Sequence, residues 1–234
     1  MGLLFSSLAV SVVGACASLL ARGNETVAKN LGCTLGLIAG SLALVAGIMG
    51  IVGSVSTYEA GSVFLAFSLR IDPLAGIMLA VISMLACMAW LYGYAYFDEY
   101  RGKGIGQMCF FMNLFIASMD CVITTDSAFW FLVFFELMSL TSYFLVVTEQ
   151  NDASIKGGFM YFAMAHAGYL MIMISFLTMA AITGSFSFEA FRGTVFSPQI
   201  ASLCFVLAFL GFGFKAGMIP FHSWLPMAHP AAPS

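Results

Sequence analysis

Residues 129–147 have the sequence FWFLVFFELMSLTSYFLVV, in which Glu136 is the only charged residue. An α-helix of this length extends about 28 Å, close to the thickness of the hydrocarbon layer of a bilayer. The stretch therefore predicts a transmembrane helix that carries one ionisable side chain near its middle.

Six further segments are comparably long and apolar, so that the predicted spans cover residues 3–21, 31–54, 73–95, 106–124, 129–147, 158–183 and 200–219. Of all residues, 62% are hydrophobic and 8% are charged, whereas soluble domains carry roughly 25% charged residues. This composition excludes a water-soluble enzyme and a disordered chain, and the unbroken apolar runs do not fit the alternating strands of a membrane β-barrel. The predicted fold class is all-α, a polytopic bundle of about seven transmembrane helices.

The basic residues of the short loops predict the orientation in the membrane. Between the second and third spans, Thr57–Ile71 mixes apolar and small polar residues and predicts a short extracytoplasmic hairpin or loop near residues 57–72. The odd-numbered loops contain more basic residues (Arg22, Lys29, Arg101, Lys103, Lys156) than the even-numbered loops (Arg70, Arg192). We therefore expect the N-terminus outside and the seventh span running inward.

Several classes of site and partner have no sequence signal. No basic run is present, so nucleic acid is not an expected partner. The six cysteines form no CxxC pair, and neither nucleotide-binding motifs nor clustered His or Cys ligands occur. We expect no cofactor and no metal in this chain, so any redox chemistry belongs to partner proteins.

Ionisable residues inside a membrane span are functional candidates, because a charge there costs about 2.5–3.5 kcal/mol on insertion scales. Glu136 lies near the middle of its span, and Ser139 and Tyr143 follow on the same helical face at i+3 and i+7. A carboxyl group there can hold and release a proton. The alternative is a permanently neutral glutamic acid that joins two helices by hydrogen bonds.

Lys215 lies in Gly211–Pro220 (GFGFKAGMIP), where three glycines and a proline predict a broken helix. Broken helices at membrane depth line cavities and ion sites. A buried lysine can switch between charged and neutral forms, which an arginine cannot. The alternative is a lysine whose ammonium group extends to the membrane surface.

Three histidines extend this list. His166 lies near the middle of the sixth span, where it either relays protons or makes a neutral hydrogen bond between helices. His222 and His229 follow the predicted break, where they either gate proton entry or are ordinary loop residues. Asp120 lies near the outer end of its span and is interpreted as interfacial.

Several stretches resemble one family. Gly211–Ser234 (GFGFKAGMIPFHSWLPMAHPAAPS) and the stretch that begins at Phe129 resemble the seventh-helix and fifth-helix signatures of the antiporter-like proton-channel subunits. These subunits occur in respiratory complex I, Mrp-type antiporters and group 4 hydrogenases. YRGKG at Tyr100–Gly104 and FFMNLFIASM at Phe110–Met119 extend the similarity to the branch of hydrogenase-4 component B and formate hydrogenlyase subunit 3.

The resemblance implies a proton-translocating, non-catalytic membrane subunit of an oxidoreductase complex in the inner (plasma) membrane. Its expected partners are other membrane subunits and peripheral iron–sulfur and [NiFe] hydrogenase-type subunits. Glu136 and Lys215 match the glutamate and lysine that form a charge pair in this family, and their approach or separation switches the lysine between charged and neutral forms. His222 and His229 match the family pattern, which assigns them no definite role.

The resemblance also implies a domain organisation. Residues 1–104 would hold the first three helices, and residues 105–234 would begin the antiporter-like domain with an incomplete first inverted repeat. Because members of the family are longer, we expect the chain to correspond to their N-terminal part. The alternatives are an Mrp-type cation/proton antiporter subunit, a truncated bundle that transports nothing, and a retinal protein with Lys215 as its Schiff base.

Overall fold

A computed structural model of the chain describes residues 1–53, 55–61 and 66–232. The helices and strands, in chain order, are α1 (Gly2–Leu20), α2 (Glu25–Val52), β1 (Ser56–Ala60), β2 (Phe67–Ile71), α3 (Pro73–Tyr96), α4 (Ile105–Thr124), α5 (Ala128–Val146), α6 (Asp152–Thr183), α7 (Phe188–Gly193), α8 (Pro198–Ala216) and α9 (Leu225–Ala228). Short 3₁₀ helices cover Ala21–Gly23, Phe97–Tyr100 and Phe221–Trp224. Within the described residues, seven helical segments are long and apolar enough to cross a membrane, which confirms the predicted all-α fold.

The predicted extracytoplasmic hairpin or loop near residues 57–72 covers both strands. β1 and β2 pair in a two-stranded sheet. Residues 62–65 of the predicted hairpin lie outside the described residues.

Two helices, α2 and α6, begin earlier in the sequence than hydropathy alone predicts, because polar residues cap their N-termini. The side chain of Asn24 accepts a hydrogen bond from the backbone N–H of Val27 (3.2 Å), and Asn151 and Ser154 form a reciprocal capping box. As a result α2 begins at residue 25 instead of 31, and α6 begins at residue 152 instead of 158. The assignment of Lys29 to a loop is therefore wrong, because the cap extends the helix beyond the apolar run.

The chain divides into two compact units. Unit 1 comprises Met1–Tyr58 and Leu69–Thr124, and therefore contains α1 to α4. Small residues of α2 let its neighbours approach closely: a Cβ atom at Gly36 would overlap the indole ring of Trp90, and one at Gly47 would lie 2.7 Å from the backbone nitrogen of Ala80. This is the small-residue packing typical of membrane helices.

Unit 2 comprises Glu59–Ser68 and Thr125–Ser234, and contains α5 to α9. α6 and α8 cross at two glycines, since a Cβ atom at Gly168 would lie 2.6 Å from the carbonyl oxygen of Gly211, and the reverse holds equally. α8 ends at Gly217, whose positive φ of 70° lets the backbone N–H of Met218 bond back to the carbonyl of Gly213 (3.0 Å). The domain boundary at residues 104 and 105 stays a prediction.

Candidate functional site

The polar side chains of α5 are arranged around two serines. The Ser139 hydroxyl donates to the carbonyl of Phe135 (3.0 Å), and the Ser142 hydroxyl donates to the carbonyl of Ser139 (3.0 Å). Each of these bonds uses the hydroxyl hydrogen of the serine within the helix. The lone pairs of the hydroxyl oxygen can then accept hydrogen bonds from other residues. α5 therefore presents hydrogen-bond acceptors to the neighbouring helices of unit 2.

Lys215 reaches these acceptors from the last turn of α8. Its Nζ donates to the Ser139 Oγ (2.9 Å) and to the hydroxyl of Tyr161 on α6 (2.6 Å). Nζ also lies 4.9 Å from the ring centroid of Tyr161 and 5.6 Å from that of Phe135. Among the described residues, no carboxylate lies within ion-pair distance of Lys215. Neutral hydroxyls and aromatic rings therefore hold this lysine.

The chain that follows the break in α8 packs against the same tyrosine. The Tyr161 hydroxyl makes a short hydrogen bond with Ser142, and its ring meets that of Trp224 edge-on, with centroids 5.2 Å apart. The Trp224 Nε1–H donates to the carbonyl of Phe214 (2.9 Å), which also accepts a longer hydrogen bond from the backbone N–H of Gly217 (3.4 Å). Trp224 thus fixes both the end of α8 and the ring that contacts Lys215.

Glu136 contacts His166 instead of Lys215. The Glu136 Oε1 lies 2.6 Å from the His166 Nε2, and the His166 Nδ1 lies 3.0 Å from the carbonyl oxygen of Phe162. Because a carbonyl oxygen only accepts, Nδ1 must carry a hydrogen. The contact between Nε2 and Oε1 then contains one shared proton, in either a carboxylic acid with imidazole or a carboxylate with imidazolium.

The pair is half-buried, with 29% of the Glu136 side chain and 35% of the His166 side chain exposed. The second carboxyl oxygen, Oε2, is buried and has no hydrogen-bond partner among the described residues. The ring of Phe162 lies 3.9 Å from the imidazole ring, centroid to centroid. Oε2 is therefore the atom of this pair that can accept a further proton.

Three of the five predicted site residues lie in these contacts. Glu136 pairs with His166, while Lys215 contacts Ser139, one helical turn from Glu136 on α5. His222 and His229 are exposed, and no hydrogen bond or ion pair within the described part of the chain joins them to the other three. Their role stays a prediction.

Tyr161, Ser142 and Trp224 were not predicted as site residues from the sequence. Tyrosine and tryptophan are common at the ends of membrane helices, so their presence in an apolar run carries no specific signal. Tyr143, predicted to extend the polar face of α5, packs its ring against Phe162 with centroids 5.2 Å apart. Within the described residues, no group of three His, Cys, Asp or Glu side chains could hold a metal ion.

Residues 125–234 match the family model described as NADH:quinone oxidoreductase/Mrp antiporter, TM, and these residues are those of unit 2 apart from Glu59–Ser68. The chain is 46% identical to hydrogenase-4 component B of Escherichia coli (strain K12), over 99% of this chain and 35% of that protein. It is 26% identical to formate hydrogenlyase subunit 3 of the same strain, over 79% of this chain and 31% of that protein.

A chain in the structure of the Mrp complex from Dietzia sp. DQ12-45-1b is also similar. It superposes with a TM-score of 0.84 at 26% identity, over 98% of this chain and 25% of that chain. This chain therefore spans about a third of the length of the curated relatives above.

Proposed function

We propose a function for this chain from the premise that it belongs to the NADH:quinone oxidoreductase/Mrp antiporter family of membrane proteins. In this proposal its residues carry protons within a membrane subunit of a hydrogenase-4, formate hydrogenlyase or complex I-like assembly. The chain itself performs no redox chemistry. It couples energy released in partner subunits to proton movement through the charge states of Glu136 and Lys215.

The observation that carries the proposal is that two protonatable groups, the Glu136–His166 pair and Lys215, are bound at neighbouring turns of α5. Glu136 shares a proton with His166, and Ser139, three residues further along α5, binds the amino group of Lys215. Residues at i and i+3 lie on one helical face, so both groups are held close to the same side of α5. Each can change charge without losing all its hydrogen bonds.

The two groups are coupled by their charges. A proton that binds to the free Oε2 of Glu136 makes the pair with His166 positive and disfavours the ammonium form of Lys215. Removal of a proton from that pair makes it negative and favours the ammonium form. Charges held beside neighbouring turns of one helix interact more strongly in a partly buried site than in water, because the effective dielectric constant there is lower.

Lys215 passes its proton along the hydroxyls that hold it. Its Nζ donates to Tyr161, and Tyr161 in turn contacts Ser142. Hydroxyl groups both donate and accept, so they can transmit a proton without becoming stably charged. The route from Lys215 to Ser142 uses side chains of three different helices of unit 2.

The experiment that tests this proposal measures proton transport by the assembled complex, reconstituted in sealed vesicles. Glu136→Gln and Lys215→Ala are expected to lower proton transport at least tenfold while assembly is retained, because each removes one of the two switching groups. His166→Ala is expected to have a smaller effect, since Glu136 keeps its free oxygen. Lys156→Gln, which removes an exposed lysine at the start of α6, serves as the matched control. Normal transport by both Glu136→Gln and Lys215→Ala would refute the charge-switching pair.

The similarity to a chain of an Mrp complex supports a second candidate, a cation/proton antiporter subunit that works without redox partners. The same residues would act, but the driving force would be a cation gradient. Proton movement in vesicles that responds to an imposed sodium gradient without any electron donor would favour this candidate. Proton movement that requires the electron donor would favour the first.

Location and partners follow from the leading candidate. We place the chain in the inner (plasma) membrane with its N-terminus outside, as the basic loop residues predict. Its partners are further membrane subunits together with peripheral iron–sulfur and [NiFe] hydrogenase-type subunits. Accessibility of single cysteines, introduced at the two ends of α1, to an impermeant thiol reagent would test the orientation.

A further inference from the structure

A second buried carboxyl group lies in unit 1, on α4. Asn113, Asp120 and Thr124 are spaced at i, i+7 and i+11, so they share one face of the helix. Their exposed fractions are 1%, 1% and 0%. Asp120 lies one turn before α4 ends at Thr124, and the packing of unit 1 buries it there; its interfacial depth in the membrane stays a prediction.

The polar groups on this face leave two acceptor oxygens without a partner. Among the described residues, neither the Oδ1 of Asp120 nor the Oδ1 of Asn113 has a hydrogen bond. The amide nitrogen of Asn113 donates to the carbonyls of Gly32 (3.4 Å) and Cys109 (2.9 Å). Thr124 donates to the backbone carbonyl of Asp120 (2.7 Å) and so does not serve its carboxyl group.

The charged residues of unit 1 do not compensate Asp120. α1 contains no charged residue, and a Cβ atom at Gly106 would lie 3.3 Å from the Cα of Arg22, which places Arg22 beside the first turn of α4. Most other charged groups cluster at that same end of the unit, about 20 Å from Asp120 along the helix: Glu25, Lys29, Asp98, Glu99, Arg101 and Lys103. Arg70 and Asp72 lie at the end of the unit that contains Asp120. The Arg70 Nε is 3.7 Å from the Asp72 Oδ2, and among the described residues no cation lies within ion-pair distance of Asp120.

The register of α1 against α4 brings a hydroxyl group near the carboxyl group. Gly106 lies beside Ser18, and Gly14 lies beside Asn113, so the two helices are antiparallel. Continuing that register places Ser7 close to the level of Asp120. The Ser7 hydroxyl donates to the carbonyl of Ala39 (2.8 Å), which leaves its oxygen available as an acceptor.

From this geometry we infer that Asp120 is a second proton-binding site, independent of Glu136 and Lys215, which holds its proton as a neutral carboxylic acid and exchanges it with water. An ionised carboxylate in this position would lose its hydration without gaining a cation or a full set of hydrogen bonds, at a cost of several kcal/mol. The neutral acid gains an O–H donor that can bond to a nearby oxygen.

Infrared spectroscopy of the protein in its membrane complex tests this inference directly. A protonated carboxylic acid has a C=O stretching band well separated from the bands of an ionised carboxylate, and the band shifts when its proton is replaced by deuterium. We expect this band at neutral pH in the unmodified protein and in Glu136→Gln, its loss when Asp120→Asn is added to Glu136→Gln, and its shift in D₂O. Asp152→Asn, which removes an exposed acid at the start of α6, is the control and should leave it unchanged.

The outcomes separate this site from the proposed function. Persistence of the band in the double variant Glu136→Gln/Asp120→Asn would refute the neutral acid, and a band that does not shift in D₂O would refute the exchange. A band that appears only after sodium is removed would assign a cation site to Asp120 instead. If Asp120→Asn does not assemble, labelling the aspartates with ¹³C in the unmodified protein still decides whether an aspartate, and not Glu136, carries the proton.

Discussion

Two lysines, one in each unit, are held by groups of different charge. In unit 1, the Lys29 Nζ lies 2.8 Å from the Asp98 Oδ2 and also donates to the carbonyl of Tyr94 (2.8 Å). In unit 2, Lys215 has two neutral hydroxyls as partners. The carboxylate supplies Lys29 with a counter-charge, whereas the hydroxyls supply Lys215 with hydrogen-bond acceptors but no counter-charge. In the proposed function, Lys29 is an anchoring lysine and Lys215 is a switching lysine.

The setting of each lysine agrees with this distinction. Lys29 follows the turn between α1 and α2, and Asp98 also pairs with Arg101 (3.0 Å), so a network of charges joins the start of α2 to the segment that follows α3. Lys215 lies in the last turn of a helix that is broken at Gly217 and closed by Trp224. A broken helix leaves its terminal groups able to change partners, which a continuous helix does not.

The largest effect is expected from replacing each lysine by arginine, which keeps the charge but cannot lose its proton. Lys215→Arg should lower proton transport at least tenfold, because the switching step requires a neutral form. Lys29→Arg should leave transport per assembled complex within about twofold of the unmodified protein. Transport in sealed vesicles, normalised to the amount of assembled complex, measures both.

The results for Lys215→Arg and Lys29→Arg test whether the two lysines really differ in their need for a neutral form. Undiminished transport by Lys215→Arg would show that Lys215 stays charged throughout the cycle, as Lys29 does. Lys215→Met serves as a control for side-chain length, since it retains the apolar stem and removes the amino group. It should match Lys215→Arg in transport.

A smaller effect is expected on stability when Lys29 is removed. Lys29→Ala should lower the free energy of unfolding by about 1–2 kcal/mol, because two hydrogen bonds are lost while the carboxylate of Asp98, which is 44% exposed, regains water. Unfolding in detergent, followed by circular dichroism against denaturant, measures the change. Lys215→Ala should have less effect, since its hydroxyl partners stay bonded within α5 and α6. The reverse order of the two variants would contradict the anchoring role.

The smallest effect concerns one hydroxyl group. Tyr161→Phe removes one acceptor of Lys215 and the contact with Ser142, but it keeps the ring that packs on Trp224. One net hydrogen bond is worth about 1 kcal/mol, so we expect transport to fall about fivefold. Phe162→Leu, which alters a ring beside His166 without touching Lys215, is the comparison variant. Equal transport by Tyr161→Phe and the unmodified protein would exclude the hydroxyl from the proton path.

The contacts that distinguish the two units could not be predicted from the sequence. Hydropathy placed Lys29 in a loop, because the apolar run begins at residue 31, and only the cap at Asn24 extends the helix to include it. The family resemblance implied that Glu136 pairs with Lys215, whereas the structure places His166 beside Glu136 and hydroxyls beside Lys215. The residues were identified from the sequence, but their partners were not.

The sequence by itself determined the seven spans, the family and the ionisable residues within the membrane, because each depends on local chemistry. A backbone in lipid must satisfy its hydrogen bonds within the helix, so a long apolar run has one stable form. The tertiary structure decided which helix faces meet, since lipid-facing and protein-facing positions of these helices are both largely apolar and hydropathy does not distinguish them. Close contacts such as Gly168 against Gly211 make that choice, and they bring Lys215 to Ser139 and Tyr161.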